Sequence, residues 1–255
     1  MHNLVFSLNN LDCIGKKPVW EIIDTGIKSA RENMELDAKF LEELDPNGSP
    51  ILHFYGWEKQ SGTYGYFLNP NQFLDLKMCQ SEGIELARRP TGGGIIFHFS
   101  DLAFSVLIPA SHPEFSSNTL ENYNFINNGV KRALQIFFKN ANIPFLLPEE
   151  PIPINEKCRH FCMAKPTKYD VMIGGRKIAG AAQRKQKQGY LHQGTIAIGL
   201  PKQTFIDSIL LPETKVFEAM QQNTFSILGT DWAPSDLTRV RAELRNLLTY
   251  SFTGE

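Results

Sequence analysis

The segment KYDVMIGGRKIAGAAQ at positions 168–183 carries the strongest fold signal in the sequence. At its centre Gly174-Gly175 separates two runs with apolar residues, and a pair of glycines is a strong signal for a two-residue hairpin turn. Residues 168–173 and 177–182 are therefore predicted to pair as antiparallel strands. A further strand is predicted at residues 190–198, so three consecutive strands are expected here.

The second of these strands carries a lysine beside small residues. Side chains alternate between the two faces of a strand, so Lys177, Ala179 and Ala181 are predicted to share one face. The two alanines leave room for a ligand beside the lysine amine, which could point into a pocket. An exposed lysine on an edge strand is the alternative interpretation.

Helix and strand signals alternate before this hairpin. Ser29 with Glu32 three residues later is a capping box, and apolar residues follow at helical spacing, which predicts a helix over residues 30–45. Residues 95–98 and 102–108 are predicted to pair with each other as another hairpin. The sequence therefore mixes helices and strands rather than separating them.

Apolar residues recur at helical spacing over residues 120–137 and again on a C-terminal helix, at Leu237, Val240, Leu244 and Leu248. Residues 148–166 contain four prolines and no glycine, which predicts a long loop, and such loops are usually functional or disordered. No linker separates independent domains. The pattern predicts one α/β (α+β) domain over residues 1–255, with a mixed sheet flanked by helices.

Composition narrows the class of protein. The chain has 255 residues, is 42% hydrophobic and 21% charged, and carries 26 basic against 27 acidic residues, so its formal net charge is −1. A net charge this small gives no overall electrostatic attraction to nucleic acid or to an anionic membrane, and neither is expected as a partner. Its four cysteines are irregularly spaced, the first residues do not look like a secretion signal, and no apolar stretch is long enough to span a bilayer, which predicts a cytoplasmic protein.

Two further segments could carry chemistry. The segment RRPTGGG at positions 88–94 offers backbone N–H groups in a flexible glycine loop next to two arginines, which suits a carboxylate or a phosphate. A solvated turn is the alternative. The segment CRHFC at positions 158–162 fits a metal site, a redox pair or one nucleophilic cysteine, because nearby basic residues favour a thiolate. Zinc would need further ligands, and only His192 is an obvious candidate, so no metal site is predicted.

The combination resembles a known family. RRPTGGG (88–94) followed by His98, and GRKIAGAAQ (175–183) followed by HQGT (192–195), look like the two signatures of the lipoate-protein ligase and octanoyltransferase family. The resemblance covers roughly residues 20–200. It implies one catalytic domain of the biotin and lipoate protein ligase type, without the accessory domain that many ligases carry.

Within that family the sequence is closer to the cysteine-dependent octanoyltransferases. Cys162 lies fifteen residues before Lys177 and is followed by Pro166 and Tyr169, which resembles the nucleophile segment of those transferases. The spacing after His98 is also one residue tighter than in ligases. The unbroken glycine triplet is more similar to ligases, and Phe99 occupies a position where the family usually has an aspartate.

The resemblance implies a reaction, a site and partners. Octanoate would pass from acyl carrier protein to Cys162 as a thioester, and then to a lysine of a lipoyl domain, either in the E2 subunit of a 2-oxo acid dehydrogenase or in the glycine cleavage H protein. No cofactor would be needed. Cys162 and Lys177 would be catalytic, and the substrate-binding positions would be Arg88, Arg89, Thr91, Gly92, Gly93, Gly94, His98, Gly180, Ala181, His192 and Gly194.

Other functions stay open at this point. An ATP-dependent lipoate ligase would use ATP and Mg²⁺ to form lipoyl-AMP, with Lys177 at the carboxyl or phosphate group and Cys162 incidental. An amidotransferase would use the same cysteine with an acylated protein as donor. A non-catalytic module that binds lipoyl domains is a further alternative. A biotin ligase is disfavoured because its Gly-Arg-Gly-Arg type of signature is missing.

Overall fold

The computed structural model describes residues 19–139, 141–150, 158, 160–211 and 215–254. The elements follow in the order β1 (Glu21–Lys28), α1 (Ala30–Glu42), β2 (Ile51–Trp57), β3 (Ser61–Tyr64), a 3₁₀ turn (Pro70–Gln72), α2 (Leu76–Ser81), β4 (Glu85–Arg88), β5 (Ile95–His98), β6 (Asp101–Pro109), α3 (Thr119–Phe137), β7 (Phe145–Leu146), β8 (Val171–Ile173), β9 (Arg176–Gln186), β10 (Gly189–Ala197), α4 (Gln203–Ile209), α5 (Val216–Asn223) and α6 (Pro234–Thr253).

The strands form two sheets. The larger has seven strands in the order β1-β2-β6-β10-β9-β8-β7, and the smaller has three in the order β4-β3-β5. The pairs β1–β2 and β3–β4 are parallel and the others are antiparallel. The prediction of an α/β (α+β) fold with a mixed sheet flanked by helices is confirmed.

The hairpin predicted at Gly174-Gly175 is present. Gly174 and Gly175 both have positive φ angles, of 54° and 77°, which is the backbone that a tight hairpin turn of this kind requires. β8 and β9 pair across the turn, with a register shift between Val171 and Met172. Because β9 lies between β8 and β10, Lys177 is on an interior strand and not on an edge strand. After the shift, Ala179 packs in the main core instead of sharing the face of the lysine.

The predicted hairpin of residues 95–98 and 102–108 is wrong. β5 pairs with β3 in the small sheet, whereas β6 pairs with β2 and β10 in the large sheet. A two-residue hairpin turn needs a positive φ angle, and Phe99 and Ser100 have none. Ser100 instead donates its hydroxyl to the Gly199 carbonyl oxygen at 2.8 Å, which fixes the crossing from one sheet to the other.

The two faces of strand β6 pack against different parts of the protein interior. Its even-numbered residues, such as Leu102 and Phe104, belong to the main core with α3 and α6, whereas Ala103 and Leu107 pack with α1. Side-chain alternation explains this division. The opposite face of the large sheet is thereby left for α1 and the small sheet, and the candidate site lies there.

The helix predictions are largely confirmed. The capping box of Ser29 and Glu32 begins α1, which ends at Glu42 and not at residue 45. The C-terminal helix buries the predicted apolar face, Leu237, Val240, Leu244 and Leu248. Residues 151–157 and 159 of the predicted loop lie outside the described residues. None of the helices in the described part of the chain combines the length and apolar character that a membrane span requires.

Candidate active site

The two sequence signatures meet at one cavity of about 380 Å³. Its walls come from the glycine loop, from Phe161 and Cys162, and from β9 and β10. This volume lies within the range of about 300–1,000 Å³ that is typical of small-molecule sites. The predicted site residues that line it are Arg89, Gly92, Gly93, Gly94, His98, Cys162, Lys177, Gly180, Ala181 and Gly194.

The glycine loop is held by a buried arginine. Arg89 Nη2 donates to the Gly92 and Gly94 carbonyl oxygens, each at 2.9 Å, and Nη1 donates to the Thr63 carbonyl oxygen at 3.0 Å. The guanidinium group is therefore engaged by backbone acceptors rather than free for a substrate. Gly93 has a φ angle of 93°, which favours glycine, and the carbonyl oxygens turn towards the arginine.

Cys162 lies directly beside this loop. Its backbone N–H donates to the Ile95 carbonyl oxygen at 2.9 Å, which ties the cysteine to β5. A Cβ placed on Gly93 would lie 4.0 Å from Cys162 Sγ and 3.1 Å from Arg89 Nη2, so the sulfur and the guanidinium group converge on one point. The thiol is partly exposed at the cavity wall, as a nucleophile must be.

Cys158 has a different environment. It is buried in the core cluster of α4 and α5 and does not line the cavity. Burial raises the pKa of the Cys158 thiol, which opposes a thiolate there. The described residues contain no group of three or more His, Cys, Asp and Glu side chains that could hold a metal ion.

Lys177 is fixed by two partners. Its Nζ lies 2.8 Å from Asp170 Oδ2 and donates to the Cys162 carbonyl oxygen at 2.8 Å. Burial raises the pKa of Asp170, and the charge of Lys177 and hydrogen bonds from Thr167 oppose this effect. A Cβ on Gly180 would come within 2.3 Å of Lys177 Cε, so only glycine leaves space for the lysine in this position.

A tyrosine of α3 also lines the cavity. Tyr123 projects from α3 into the cavity, and burial raises the pKa of its phenol, so that the hydroxyl stays neutral. The Tyr123 ring packs against the His192 ring, with 5.6 Å between the centroids. The helical spacing predicts only that Tyr123 lies on a helix face, because periodicity does not distinguish a core side chain from a cavity side chain.

His98 lies deeper, in a chain of hydrogen bonds. Arg89 donates to Thr63 Oγ1 at 3.1 Å, Thr63 Oγ1 lies 2.9 Å from His98 Nε2, and His98 Nδ1 lies 2.7 Å from Asp101 Oδ2. Thr195 also donates to that carboxylate oxygen, at 2.6 Å. Burial raises the pKa of Asp101, but the His98 charge and these hydrogen bonds outweigh it and hold the pKa below its usual value.

Three predicted binding residues do not line the cavity. Arg88 is exposed and lies over the Tyr66 ring, 4.8 Å from its centroid. Thr91 is buried and donates its hydroxyl to Gln193 Oε1 at 2.7 Å. His192 is fully buried in the sheet. It precedes Gln193, whose side chain lines the cavity. Because side chains alternate along β10, the histidine ring lies on the opposite face of the strand, next to the Tyr123 ring.

Gln193 is a residue that the sequence analysis did not assign. Its side chain accepts from Thr91 and donates from Nε2 to Asp37 Oδ2 on α1 at 2.7 Å. Asp37 is completely buried and also accepts from Ser105 Oγ at 2.6 Å. The first signature is therefore linked to the second and to α1 through one polar network below the cavity.

Comparisons with known proteins place these features among enzymes of the acyltransferase and ligase class. The chain belongs to the lipoyl protein ligase A/B catalytic domain family, and the match covers residues 29–226. The expected family is thereby confirmed.

Individual relatives agree with this assignment. Octanoyltransferase LipM of Bacillus subtilis (strain 168) is 31% identical over 214 residues, which cover 82% of this chain and 76% of that protein. A lipoate-protein ligase A crystallised with ATP has a similar fold, with a TM-score of 0.67 at 23% identity over 94% of this chain and 85% of that one. A bi-partite lipoate protein ligase from Thermoplasma acidophilum, studied with its E2 lipoyl domain, gives a TM-score of 0.66 at 20% identity over 92% and 84%.

Proposed function

We propose that this protein transfers an octanoyl group to a lysine of a lipoyl domain through a thioester on Cys162. The observation that carries the proposal is the joint position of Cys162 and Lys177, because the lysine ammonium is fixed on the carbonyl oxygen of the cysteine itself. A thiol and an anchored cation at one cavity wall suit acyl transfer through a tetrahedral oxyanion. The likeness to octanoyltransferases of the LipM type supports the same chemistry.

The first half-reaction loads the enzyme. The Cys162 sulfur attacks the carbonyl carbon of an octanoyl thioester, the new C–S bond forms, and the bond to the carrier sulfur breaks as the tetrahedral intermediate collapses. The thiol proton of the cysteine passes to the carrier thiol that leaves. We propose octanoyl-acyl carrier protein as this donor.

The second half-reaction releases the acyl group to the acceptor. The lysine amine of the lipoyl domain attacks the acyl-Cys162 carbonyl, the amide bond forms and the C–S bond breaks. One amine proton restores the thiol of the cysteine. Acceptors of this kind are the lipoyl domains of 2-oxo acid dehydrogenase E2 subunits and the glycine cleavage H protein.

Lys177 is proposed to stabilise the oxyanion in both steps. A lysine ammonium has three N–H donors, and Asp170 and the Cys162 carbonyl oxygen accept two of them. The third is directed by the other two and is available to the developing negative charge. A single preorganised donor of this type is typically worth about 2.7–4 kcal/mol in the transition state.

A basic and aromatic surface beside the glycine loop suits acidic carrier domains. The Arg88 and Arg184 guanidinium carbons lie 4.8 Å and 5.4 Å from the Tyr66 ring centroid, and the neighbouring Phe67 is 92% exposed. None of the salt bridges between described residues uses either arginine. Tyr66 N–H donates to the Thr91 carbonyl oxygen at 2.9 Å, so this surface is attached to the glycine loop. Cations that pair with no carboxylate of the described residues, around an exposed aromatic residue, favour a carboxylate-rich partner.

The proposed reaction needs no cofactor. The alternative, an ATP-dependent ligase, would need ATP and Mg²⁺, which is bound by carboxylates and phosphate oxygens. Glu150, a carboxylate that lines the cavity, pairs with Lys165, and Asp170 pairs with Lys177.

Mass spectrometry of the intact protein tests the proposal. The protein is mixed with octanoyl-acyl carrier protein without ATP, beside Cys162→Ala and Cys158→Ala variants. We expect an octanoyl adduct on the parent and on Cys158→Ala, and none on Cys162→Ala. Lipoyl-domain acylation that occurs only with free lipoate and ATP, without any adduct, would mean a ligase. Loading from an octanoylated lipoyl domain but not from acyl carrier protein would mean an amidotransferase, and tight lipoyl-domain binding without turnover of any donor would mean a binding module.

A further inference from the structure

The inner end of the cavity is closed by three side chains from three different elements. Met34 of α1, Tyr55 of β2 and Ala103 of β6 all line the cavity and are 4%, 4% and 3% exposed, whereas Leu120 at the mouth is 42% exposed. All three belong to one small apolar cluster. We propose that these residues set the length of the acyl chain that the enzyme accepts, with Ala103 and Met34 at the methyl end and Tyr55 as the end wall.

The large sheet provides the scale for this proposal. The cavity crosses the neighbouring strands β9, β10, β6 and β2, with Lys177 on the first and Tyr55 on the last. Adjacent strands are about 4.8 Å apart, so β6 lies about 10 Å from β9. Gly180, beside which the Lys177 ammonium lies, is in register with Thr195 of β10, and Thr195 is in register with Ala103 of β6. An extended eight-carbon chain, with seven C–C bonds of about 1.5 Å in zigzag, spans about 9 Å. A chain whose carbonyl is held near Lys177 therefore ends beside Ala103.

The end wall is only one side chain thick. A second cavity of about 550 Å³ lies behind it, and Tyr55, His98 and Ala103 line both cavities. His98 is held by Asp101, and the Tyr55 hydroxyl lies 3.4 Å from Asp37 Oδ2, so both rings are fixed from outside the slot. Ala103 is the smallest of the three, and added volume at this position must extend towards the chain or against these fixed rings.

This proposal rests on the proposed function, because the proposed reaction supplies the acyl chain that fills the slot. Each methylene that loses its place in an apolar slot weakens binding about fourfold. Ala103→Val adds two carbon atoms at the end of the slot and is expected to lower the preference for octanoyl over hexanoyl about 15-fold. Met34→Ala removes volume there and is expected to raise the preference for decanoyl over octanoyl by a similar factor at most.

Two measurements test the chain length independently of each other. The first is kcat/KM with hexanoyl, octanoyl and decanoyl thioesters of acyl carrier protein, for the parent, Ala103→Val and Met34→Ala. The second is the calorimetric affinity of Cys162→Ala protein, with and without each change, for the three free fatty acids. Ala133→Val adds the same carbon atoms to the core on the other face of the sheet, and its ratios between chain lengths should equal those of the parent.

The outcomes are distinguishable. Opposite shifts of the ratios in Ala103→Val and Met34→Ala support the proposal, even if all rates fall, since a ratio does not depend on the folded fraction. Unchanged ratios in both variants overturn it. If no thioester is turned over but the fatty-acid affinities still shift as expected, the proposed function fails while the assignment of the inner end stands.

Discussion

His192 should make the protein sensitive to mild acid. The imidazole ring is fully buried, and burial lowers its pKa from 6.5 to about 3. Gln183 Nε2 lies 2.8 Å from Nδ1, and Nε2 of the ring has no hydrogen-bond partner among the residues that the structure describes. The folded protein therefore keeps this histidine neutral over a pH range in which an unfolded chain protonates it.

The sign and size of the effect follow from this difference. Below pH 6.5 the unfolded chain binds a proton that the folded chain refuses until about pH 3, so the contribution of His192 to stability is complete above 6.5 and falls as the pH drops. Each pH unit in this window corresponds to about 1.4 kcal/mol. Acidification from pH 7 to pH 4 should thus cost about 3 kcal/mol through this residue alone. Domains are typically stable by only about 5–15 kcal/mol.

Urea unfolding at pH 7, 6, 5 and 4 measures this contribution when the parent is compared with His192→Gln. The difference at pH 7 contains only the packing cost of the substitution. Between pH 7 and pH 4 the parent should lose about 3 kcal/mol more than the variant, because all other titrating groups are common to both proteins. Parallel pH profiles of the two proteins would show that His192 does not contribute to the loss of stability in acid.

Three further predictions concern the site. Asp170→Asn leaves Lys177 as an uncompensated buried charge and should lower the free energy of unfolding by about 3–5 kcal/mol in urea; a loss below 1 kcal/mol would contradict the ion pair. Gly180→Ala should displace the Lys177 side chain and abolish acyl transfer while the circular dichroism spectrum is retained; full activity would show that the lysine position is not required. Arg184→Glu should raise KM for acyl carrier thioesters but not for a small octanoyl thioester, and equal changes for both would exclude a docking role.

Local signals in the sequence predicted local structure well. The turn at Gly174-Gly175 and the cap at Ser29 depend on the backbone of a few neighbouring residues, so their positions follow from residue type. The predicted pairing between the strands on either side of Phe99 and Ser100 is wrong, because the choice of a strand partner depends on distant segments. β5 and β6 find those partners in different sheets.

The same difference between local signals and distant contacts holds for the candidate site. The motifs predicted that Cys162 and Lys177 lie close together, and the structure places them at one cavity. They did not predict that Arg89 is engaged by its own loop, or that Tyr123 of α3 lines the cavity. Both depend on tertiary contacts. The position of His192 was predictable in part, since alternation along the strand turns it away from the face of Gln193.

The network that joins Thr91, Gln193 and Asp37 restricts how this site can be transplanted. The amide oxygen of Gln193 accepts a hydrogen bond from Thr91, and its amide nitrogen donates one to Asp37 of α1. Replacing Gln193 alone therefore leaves the Thr91 hydroxyl and the buried Asp37 carboxylate each without one hydrogen-bond partner. The three residues are therefore energetically coupled. A single substitution among them is costly, whereas a compensated double substitution is tolerated. An engineer who grafts both signatures onto another scaffold must therefore carry the first helix with them.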